Sequence, residues 1–312
     1  MEHKRIRIRN GNVEVAPLVY THPYSRYNGY TDVRILELSN IQNATYKYSK
    51  NETLPQIVKD EQSEVLSFNG SFVYNGQILG KTVANEKIIA NDIPNKTENR
   101  HHFYYDGDFK IGRCDHTTGV KFAVQGTPML LKNNKSVFKQ AIKKENTQQD
   151  ILCCSSPRTA VGLRADGTAI VVLVDGRGKY DKGMTLQELV ILFQHLHCTD
   201  AINLDGGGSS TLYSNSPQLQ QKLGMKYATH MCDMSREEPR AVSHAIILEC
   251  NKEPKIQATI GGTVNGKEVD HGYLIDNVTY VPIRAVAETL GATVKWNAEK
   301  LQYEIMMENS SS

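Results

Sequence analysis

The stretch between residues 158 and 213 constrains the fold most, because two apolar runs flank a helical pattern there. Residues 169–174 and 201–204 have the length and composition of buried strands, and they end at Asp175 and Asp205 respectively. Apolar residues at helical spacing lie between the two runs. The order strand, helix, strand predicts that both aspartates lie at one edge of a sheet, provided that the strands are parallel and adjacent. Side chains at such an edge are well placed to build a site.

The remaining patterns predict an α+β fold, in which a mixed sheet is packed with helices. Thr185 and Glu188 have the spacing of a capping box and open the helix of the central unit. Residues 65–68 predict a short strand, and residues 119–131 a strand interrupted by glycine and proline. Residues 132–149 are polar and show no period, which predicts an excursion on the surface.

Shifts in composition divide the chain into three parts. We expect an N-terminal extension at residues 1–30, a large domain at 31–250 and a small α+β domain at 256–308. The boundary falls at residues 251–255, which are polar and contain a proline. The basic start, residues 3–9, alternates with apolar residues, as an edge strand does, and this favours a solvated lead-in over a nucleic-acid arm.

The small domain shows its own helix signals. Pro282 is expected at the first helical position, and Gly291 is expected to end the helix. A small core is expected around Val286, Leu290 and Trp296. This pattern predicts a compact unit that folds independently.

Charge and hydropathy exclude several classes of partner. The formal net charge is +2, so no strong field attracts duplex nucleic acid or an acidic membrane. No apolar run approaches the roughly 18 residues that a membrane span requires. The N-terminus lacks the apolar core of a signal peptide. We therefore expect a cytoplasmic protein.

The six cysteines predict free thiols. None of them shows C-x-x-C spacing, and the neighbours Cys153 and Cys154 cannot easily bond to each other. The histidines show no ligand spacing either, so we expect no metal and no cofactor. The oligomeric state has no signal in the sequence.

The most informative segment follows the second apolar run. Three glycines allow a ligand to approach the backbone closely, and their N–H groups can form an anion-binding nest. The two serines add hydroxyl donors, and the aspartate supplies a negative charge that suits a base or nucleophile. A P-loop is disfavoured, because no G-K-[ST] follows the glycines. The residues of this segment are Asp205, Gly206, Gly207, Gly208, Ser209 and Ser210.

Several motifs in the same order resemble those of the phosphodiester glycosidase family, and they cover roughly residues 31–250. The most specific is N-L-D-G-G-G-S at residues 203–209. The others are N-G-S-F at 69–72, G-T-P-M-L at 126–130, R-T-A and D-G at 158–160 and 166–167, D-G-R and G-M-T-L at 175–177 and 183–186, and P-R-A-V at 239–242. The turn at Asn69 departs from the family's N-G-G-F-F at Ser71 and Val73. The resemblance implies a hydrolase that cleaves the bond between a sugar C1 and a phosphate.

The chemistry of that bond suggests roles for individual residues of these motifs. It breaks through an oxocarbenium-like state, and its phosphate leaving group needs charge stabilisation more than protonation. Asp205 is the preferred base or nucleophile, while Asp175 either is a second carboxylate or orients Arg177. Asn69 and Gly70 are expected to contact sugar hydroxyls or an acetamido group. The expected phosphate-binding cations are Arg158, Arg177 and Arg240.

The last fifty residues contain V-N-G-K at 264–267, Y-V-P-I-R at 280–284 and L-G-A-T-V-K-W at 290–296. These segments resemble the small repeat domain found at the N-terminus of copper amine oxidases. This resemblance implies an interaction or spacer module and suggests a Gram-positive bacterium or its phage. If a phage encodes the protein, we expect it in the virion or in the infected host cell. The substrate is expected to be a phosphorylated sugar, a nucleotide-linked sugar or a nucleotide signal with a glycosidic bond. Two alternatives remain open: a non-catalytic protein that binds such a ligand, and a structural protein that binds the cell wall.

Overall fold

The structure, a computed structural model, describes residues 2–9, 12–19, 31–39, 41, 43–179, 181–250, 256–275, 278–297 and 302–307. The chain forms two compact units, Met1–Asn251 and Lys252–Ser312. Within the described ranges, no helix is both long enough and apolar enough to cross a membrane.

The first unit consists mostly of strands. They are β1 Glu2–Arg9, β2 Asn12–Val19, β3 Val33–Ser39, β4 Ala44–Glu52, β5 Glu64–Phe68, β6 Val73–Tyr74, β7 Gln77–Ile78, β8 Thr82–Ala84, β9 Lys87–Ala90, β10 His101–Tyr105, β11 Phe109–Gly112, β12 Phe122–Gly126, β13 Met129–Lys132, β14 Lys135–Ser136, β15 Arg158–Arg164, β16 Ala169–Val174, β17 Cys198–Asn203, β18 Thr211–Ser214, β19 Thr229–Met231 and β20 Val242–Cys250. The helices are α1 Leu54–Ile57, α2 Phe138–Lys144, α3 Gln149–Leu152, α4 Leu186–His195 and α5 Pro217–Lys222, and a 3₁₀ turn spans Gly207–Ser209.

The largest sheet has eight strands in the order β14-β13-β17-β15-β16-β3-β1-β2. The condition that β16 and β17 be adjacent is not met, because β15 lies between them and pairs antiparallel with both. A tight turn at Gly167 joins β15 to β16, and this hairpin takes the place beside β16 that a βαβ crossover would need. β16 and β17 still run in the same direction. Asp175 and Asp205 therefore follow strands that end at one edge of the sheet, with Arg158 at the start of β15.

Side chains alternate between the two faces of this sheet, and both faces are buried. Val171 and Leu173 of β16 belong to a core shared with the sheets β19-β18-β5-β20-β4 and β11-β10-β12-β8-β9. Ile170 and Val172 face the opposite way and pack against α4, which buries Leu189 among others. The mixed sheet is present, since β1 pairs parallel with β3 while the other neighbours pair antiparallel.

The predicted packing of helices is only a small part of the fold. α4 has ten residues and starts with the expected capping box, in which the Glu188 backbone N–H donates to Thr185 Oγ1. The other helices of the described chain are shorter. Residues 132–149 are not simply a surface excursion, because α2 buries Ala141 and the following Glu145 is almost fully buried. The Glu145 carboxylate accepts hydrogen bonds from the backbone N–H of Met129 and from the hydroxyl of Thr127.

The basic start of the chain is part of the large sheet. β1 pairs with both β2 and β3, so β2 rather than β1 is the edge strand. The predicted N-terminal extension thus contributes two strands to the first unit.

The second unit contains β21 Ile256–Val264, β22 Lys267–Ile275, β23 Val278–Tyr280, α6 Ile283–Thr289, β24 Ala292–Asn297 and β25 Gln302–Met307. Pro282 is the N-cap of α6 rather than its first residue, and Gly291 follows the helix with a φ of 81°. The expected core differs in its residues: Leu290 is exposed, and Ala287 and Val294 are buried. The side chain of Trp296 and the boundary at residues 251–255 lie outside what the structure describes.

Candidate active site

Asp205 stands at the end of β17, where the backbone turns into the 3₁₀ turn. Its own N–H donates to the carbonyl of Gly70 at 3.0 Å, and its carboxylate accepts the N–H of Gly206 at 3.0 Å. Gly207 has a φ of 59°, a conformation that favours glycine. A Cβ atom there would also lie 3.2 Å from the guanidinium of Arg177. The turn therefore needs its glycine to bring the backbone and the arginine together.

The side chain of Asn69 holds this turn in place through hydrogen bonds. Its Nδ2 donates to the carbonyl of Asp205 at 2.6 Å, and its Oδ1 accepts from Thr159 Oγ1 at 2.8 Å and from the Thr211 N–H at 3.3 Å. The side chain is fully buried. The expected contact of Asn69 with a sugar is thus replaced by a positioning role, because its amide already bonds to three protein groups.

Gly70 is also a packing residue rather than a ligand contact. Its N–H donates to His244 Nε2 at 2.7 Å. A Cβ atom at Gly70 would lie 2.8 Å from Ile246 Cδ1, so a side chain has no room there. The close approach of β5 to β20 explains the glycine.

A cavity of about 240 Å³ opens beside the carboxylate of Asp205. Asp205 is the only carboxylate, and Arg240 the only arginine or lysine, among the described residues that line it. The lining residues are Asn51, Val73, Gly76, Asp205, Ser209, Arg240, Ala241, Val242, Ser243 and His244. One potential base or nucleophile and one permanent cation thus share a single small chamber.

The surroundings of Asp205 shift its titration to neutral pH. Burial raises the pKa of the carboxyl to about 7, and this effect outweighs the hydrogen bond from the Ser209 hydroxyl and the charge of Arg240, which lower it. A carboxyl with this pKa exists in both protonation states near neutrality. It can therefore act as a base or nucleophile at pH values just above neutrality.

His244 forms another wall of the cavity and is neutral. Its Nε2 accepts hydrogen bonds from the N–H groups of Gly70 and Ser71, at 2.7 and 2.8 Å. Burial lowers the pKa of the imidazole to about 3. The ring stacks on Tyr46, with centroids 5.6 Å apart. His244 thus holds the turn after β5, a role that no spacing in the sequence indicates.

Two arginines flank the glycine turn. Arg177 adopts a φ of 62° and donates from Nη1 to Asp233 Oδ2 at 2.9 Å. Gly208 lies between Asp233 and Arg240, since a Cβ atom there would be 3.3 Å from Asp233 Oδ2 and 3.4 Å from Arg240 Nη1. The side chain of Arg177 is 47% exposed. Both predicted cations are therefore at the turn and partly open to solvent, and the sequence analysis missed Asp233, which orients one of them.

Arg158 has a different position from the one expected. The side chain is buried, and it donates to the carbonyls of Met184, Ile151 and Cys154 at distances of 2.8–3.0 Å. Burial lowers the pKa of its guanidinium to about 10. The structure gives Arg158 the role of anchoring the loop after α3, in place of the predicted phosphate contact.

Asp175 is likewise removed from the cavity. Its carboxylate pairs with Arg34 Nη1 at 3.1 Å and with His230 Nε2 at 2.8 Å, and it is buried. It does not orient Arg177, which bonds to Asp233 instead. No local pattern indicates Arg34 or His230 as partners of Asp175, because they lie 141 and 55 residues away along the chain. Asp175 is therefore not among the described residues that line the cavity, and a catalytic role for it stays a prediction.

Asp175 is also shared by two groups of side chains whose ligand atoms converge within 4.8 Å. One group is Asp175, His230 and Cys232, and the other adds Asp32 and Asp181 to Asp175. The guanidinium of Arg34 lies 2.7 Å from His230 Nε2 and already supplies a positive charge to this cluster. A metal ion would have to compete with it.

Two N–H groups of the expected anion nest already donate hydrogen bonds to other groups of the protein. The Gly206 N–H bonds to the Asp205 carboxylate, and the Gly207 N–H donates to the carbonyl of Pro157 at 2.9 Å. Ser210 is buried and accepts from Thr159 Oγ1 at 3.1 Å, whereas Ser209 lines the cavity. Anion binding at this turn is therefore left mainly to the arginines and to Ser209.

Known proteins share this fold and these motifs. The family model "Phosphodiester glycosidase" matches residues 62–249, and the model "Copper amine oxidase N-terminal domain" matches residues 263–311. N-acetylglucosamine-1-phosphodiester alpha-N-acetylglucosaminidase from Mus musculus is 30% identical over 141 residues, which are 43% of this chain and 26% of that protein. The SPbeta prophage-derived uncharacterized protein YomE of Bacillus subtilis (strain 168) is 46% identical over 54 residues, 17% of this chain and 8% of that protein.

The matches to curated relatives thus span about a quarter or less of those proteins. In the solved structures, the catalytic domain of the zebrafish N-acetylglucosamine-1-phosphodiester alpha-N-acetylglucosaminidase, auto-inhibited by its pro-peptide, superposes with a TM-score of 0.54 at 17% identity. The match covers 72% of this chain and 85% of that one, and it shows a shared fold. Because the first family model spans more than half of the chain, the protein belongs to the phosphodiester glycosidase family.

Proposed function

We propose that this protein hydrolyses the bond between the C1 atom of a sugar and a phosphate, with Asp205 as the base or nucleophile. The observation that carries the proposal is the pairing of one carboxylate with one arginine in a single cavity. The family relation supports the reaction class, because the related mouse and zebrafish proteins are named for it.

A single carboxylate is enough for this leaving group. Ordinary glycoside hydrolysis uses two carboxyl groups, one of which protonates the departing oxygen. A phosphate monoester has a second pKa of about 6, so it departs at neutral pH without a proton from the enzyme. The absence of a second carboxylate from the described lining residues therefore fits a phosphate leaving group.

The charge that arrives on the phosphate needs cations close by. Arg240 lines the cavity, and Arg177 lies across the glycine turn from it. Planar guanidinium groups match phosphate oxygens in geometry and stabilise them electrostatically. We assign phosphate stabilisation to Arg240 first, and to Arg177 where the substrate extends over the turn.

The carboxylate of Asp205 has two routes to the same products. As a nucleophile it forms a bond to C1 while the C1–O bond to phosphate breaks, and water then releases the sugar. As a base it takes a proton from a water molecule that attacks C1 directly. Both routes need the ionised carboxylate, whose basicity burial increases.

The substrate classes that fit are a sugar-phosphate polymer of the cell wall, a nucleotide-linked sugar and a nucleotide signal with a glycosidic bond. Relatedness to a prophage-derived protein of Bacillus subtilis supports a phage that infects a Gram-positive host as the source. On this proposal the protein acts in the host cytoplasm or as a part of the virion, and the small second unit is an interaction module.

The proposal is tested with a nucleotide-linked N-acetylglucosamine, by measuring free sugar and nucleotide after incubation with the protein. Asp205→Asn keeps the size and the hydrogen bonds of the side chain but removes the charge. It should lower turnover by on the order of a thousandfold. Asp60→Asn, which makes the same change at an exposed position, should leave turnover unchanged.

Two results would contradict the proposal. Normal turnover in Asp205→Asn would assign the chemistry to another group. Tight binding of the substrate to the wild-type protein without release of sugar would identify a binding protein instead of a hydrolase.

A further inference from the structure

We propose that Cys153 and Cys154 form a reactive vicinal dithiol, which small-molecule disulfides close into a ring disulfide by thiol–disulfide exchange. Both residues are exposed, and their Sγ atoms are 3.0 Å apart. They follow directly after α3, in the loop that leads to Pro157 and Arg158. This inference is independent of the hydrolytic function.

The two thiols form a chain of hydrogen bonds. Cys154 Sγ donates to Cys153 Sγ, and Cys153 Sγ donates to the carbonyl of Asp150 at 3.4 Å. The bond to Cys153 raises the pKa of the Cys154 thiol, which the charges of Arg158 and Arg177 oppose. Two sulfurs that already face each other meet the geometric requirement for exchange, since the second thiol can attack as soon as the first has reacted.

The remaining cysteines are protected from the same reaction. All four are buried, so a small-molecule disulfide cannot reach their sulfur atoms in the native protein. They are Cys114, Cys198, Cys232 and Cys250. Exchange in the native protein should therefore be confined to Cys153 and Cys154.

The reaction balances with one equivalent of a low-molecular-weight disulfide such as oxidised glutathione. One cysteine thiolate attacks a sulfur of the disulfide and releases one reduced thiol, which leaves a mixed disulfide on the protein. The neighbouring cysteine then attacks the protein sulfur of that mixed disulfide and releases the second reduced thiol. The protein loses two hydrogen atoms, and the small disulfide is reduced to two thiols.

Covalent geometry makes the product reversible. Neighbouring Cα atoms lie about 3.8 Å apart, whereas disulfides usually join Cα atoms at about 4.4–6.8 Å. The strain in the eight-membered ring makes its bond easily reduced, and labile disulfides of this kind are typical of regulation rather than of structure. The same strain disfavours a permanent bridge between these two residues.

Closure of the ring would affect Arg158, the residue that anchors the loop after α3. The ring contains the peptide group between the two cysteines, so its closure changes the φ of Cys154 and thereby reorients the carbonyl of Cys154, which lies just outside the ring. That carbonyl accepts Arg158 Nη2 at 2.8 Å. The residue before Arg158, Pro157, accepts the N–H of Gly207 in the glycine turn. Oxidation should thus remove one hydrogen bond from a buried guanidinium that lies next to the site.

The chemistry is tested on the native full chain with oxidised glutathione, followed by acid quenching, denaturation and alkylation. We expect two fewer alkylated cysteines than the six of the reduced protein, a mass lower by two hydrogens, and a peptide map that places both losses at Cys153 and Cys154. Cys153→Ser and Cys154→Ser should each stop at a stable mixed disulfide with glutathione. Six alkylated cysteines, or a wild-type protein that keeps the glutathione adduct, would overturn the proposal.

The coupling to Arg158 is tested by thermal unfolding of the same samples. Loss of a hydrogen bond to a buried charge should lower the Tm of the oxidised wild type by at least about 2 °C relative to the reduced protein. Reduced glutathione should restore the Tm. The double variant C153S/C154S, which keeps two polar side chains of similar size, should show no shift. An unchanged or higher Tm in a wild-type protein with the ring closed would rule out the coupling.

Discussion

At the scale of single residues, the burial of Asp205 makes its ionised form costly for the folded protein and also makes that form more basic. Burial raises the pKa of the carboxyl above its usual value, so the folded protein binds this proton more tightly than the unfolded chain does. Ionisation of Asp205 is therefore less favourable in the folded protein than in the unfolded chain. On the proposed function, hydrolysis uses this ionised carboxylate, which the fold makes more basic than one in water.

The pH dependence of the reaction follows from the same shift. Below pH 7 the carboxyl of Asp205 is mostly protonated, and above it mostly ionised. If Asp205 is a base or nucleophile, kcat/KM should rise with pH and level off above about 7. The measurement is an initial-rate profile between pH 5 and 9 in buffers of constant ionic strength. A profile that falls through pH 7 would show that the protonated acid is the active form.

The structure separates two of the arginines that were expected to bind phosphate, because Arg240 lines the cavity whereas Arg158 is bonded to backbone carbonyls. Arg240→Ala should lower kcat/KM for a phosphate-linked sugar by about 10²–10³-fold, because it removes a cation from where charge develops. The loss should be smaller for an aryl glycoside, whose leaving group carries one charge. Arg236→Ala, an exposed arginine four residues away, is the matched control and should change neither rate. Equal losses on both substrates would mean that Arg240 does not stabilise the phosphate.

Arg158→Ala provides the opposite pattern in the same assay. Its donors are bonded to three backbone carbonyls, so its loss should lower stability and affect both substrates to the same extent. A selective loss on the phosphate substrate would return Arg158 to the role that the motif alone suggests.

At the scale of elements, the site depends on an amide that joins three strands. Asn69 follows β5, and it bonds to Thr159 of β15, to Thr211 of β18 and to the carbonyl of Asp205. The turn that carries the Asp205 carboxylate is thus held by contacts between elements that are far apart in sequence. Strand pairing alone does not determine the position of the carboxylate.

Asn69→Ala tests whether these three hydrogen bonds hold the turn in place. It should lower the free energy of unfolding by about 1–3 kcal/mol, because three buried polar groups lose their partner. It should lower turnover as well, since the backbone of Asp205 is released. Ser67→Ala on the same strand is the control, because its buried hydroxyl has no hydrogen-bond partner among the described residues, and its loss should cost little. Denaturant unfolding and turnover on one substrate measure both effects. If the Asn69→Ala protein were as stable as the Ser67→Ala protein, the hydrogen bonds of Asn69 would not stabilise the turn.

At the scale of the whole molecule, the two units have separate cores. The site lies entirely within the first unit, and the small core of the second is formed by its own residues. A chain truncated after Asn251 should therefore remain folded and keep most of its turnover on a small substrate. Circular dichroism, thermal unfolding and turnover of the purified truncated protein check this. Insoluble or inactive protein would mean that the first unit needs the second.

Local patterns in the sequence were sufficient for several elements. The capping box at Thr185 and Glu188 and the apolar spacing that follows predicted α4, and the two apolar runs predicted β16 and β17. Helix caps and buried strands depend on residues within a few positions of one another, so a single sequence displays them. The same holds for the glycine turn after Asp205, whose backbone needs glycine wherever the rest of the chain lies.

The tertiary structure alone decided which strands are neighbours and which charges meet. β15 separates β16 from β17, and the partners of Asp175 come from 141 and 55 residues away. The same reason explains why Arg158 anchors a loop while Arg240 faces the cavity: both are arginines in family motifs, and only their surroundings differ. Hydrogen bonds and ion pairs between distant residues leave no periodic pattern in the sequence. Their outcome depends on how the sheets pack, and therefore the motifs identified the family and Asp205, whereas packing determined which of the other polar residues reach the site.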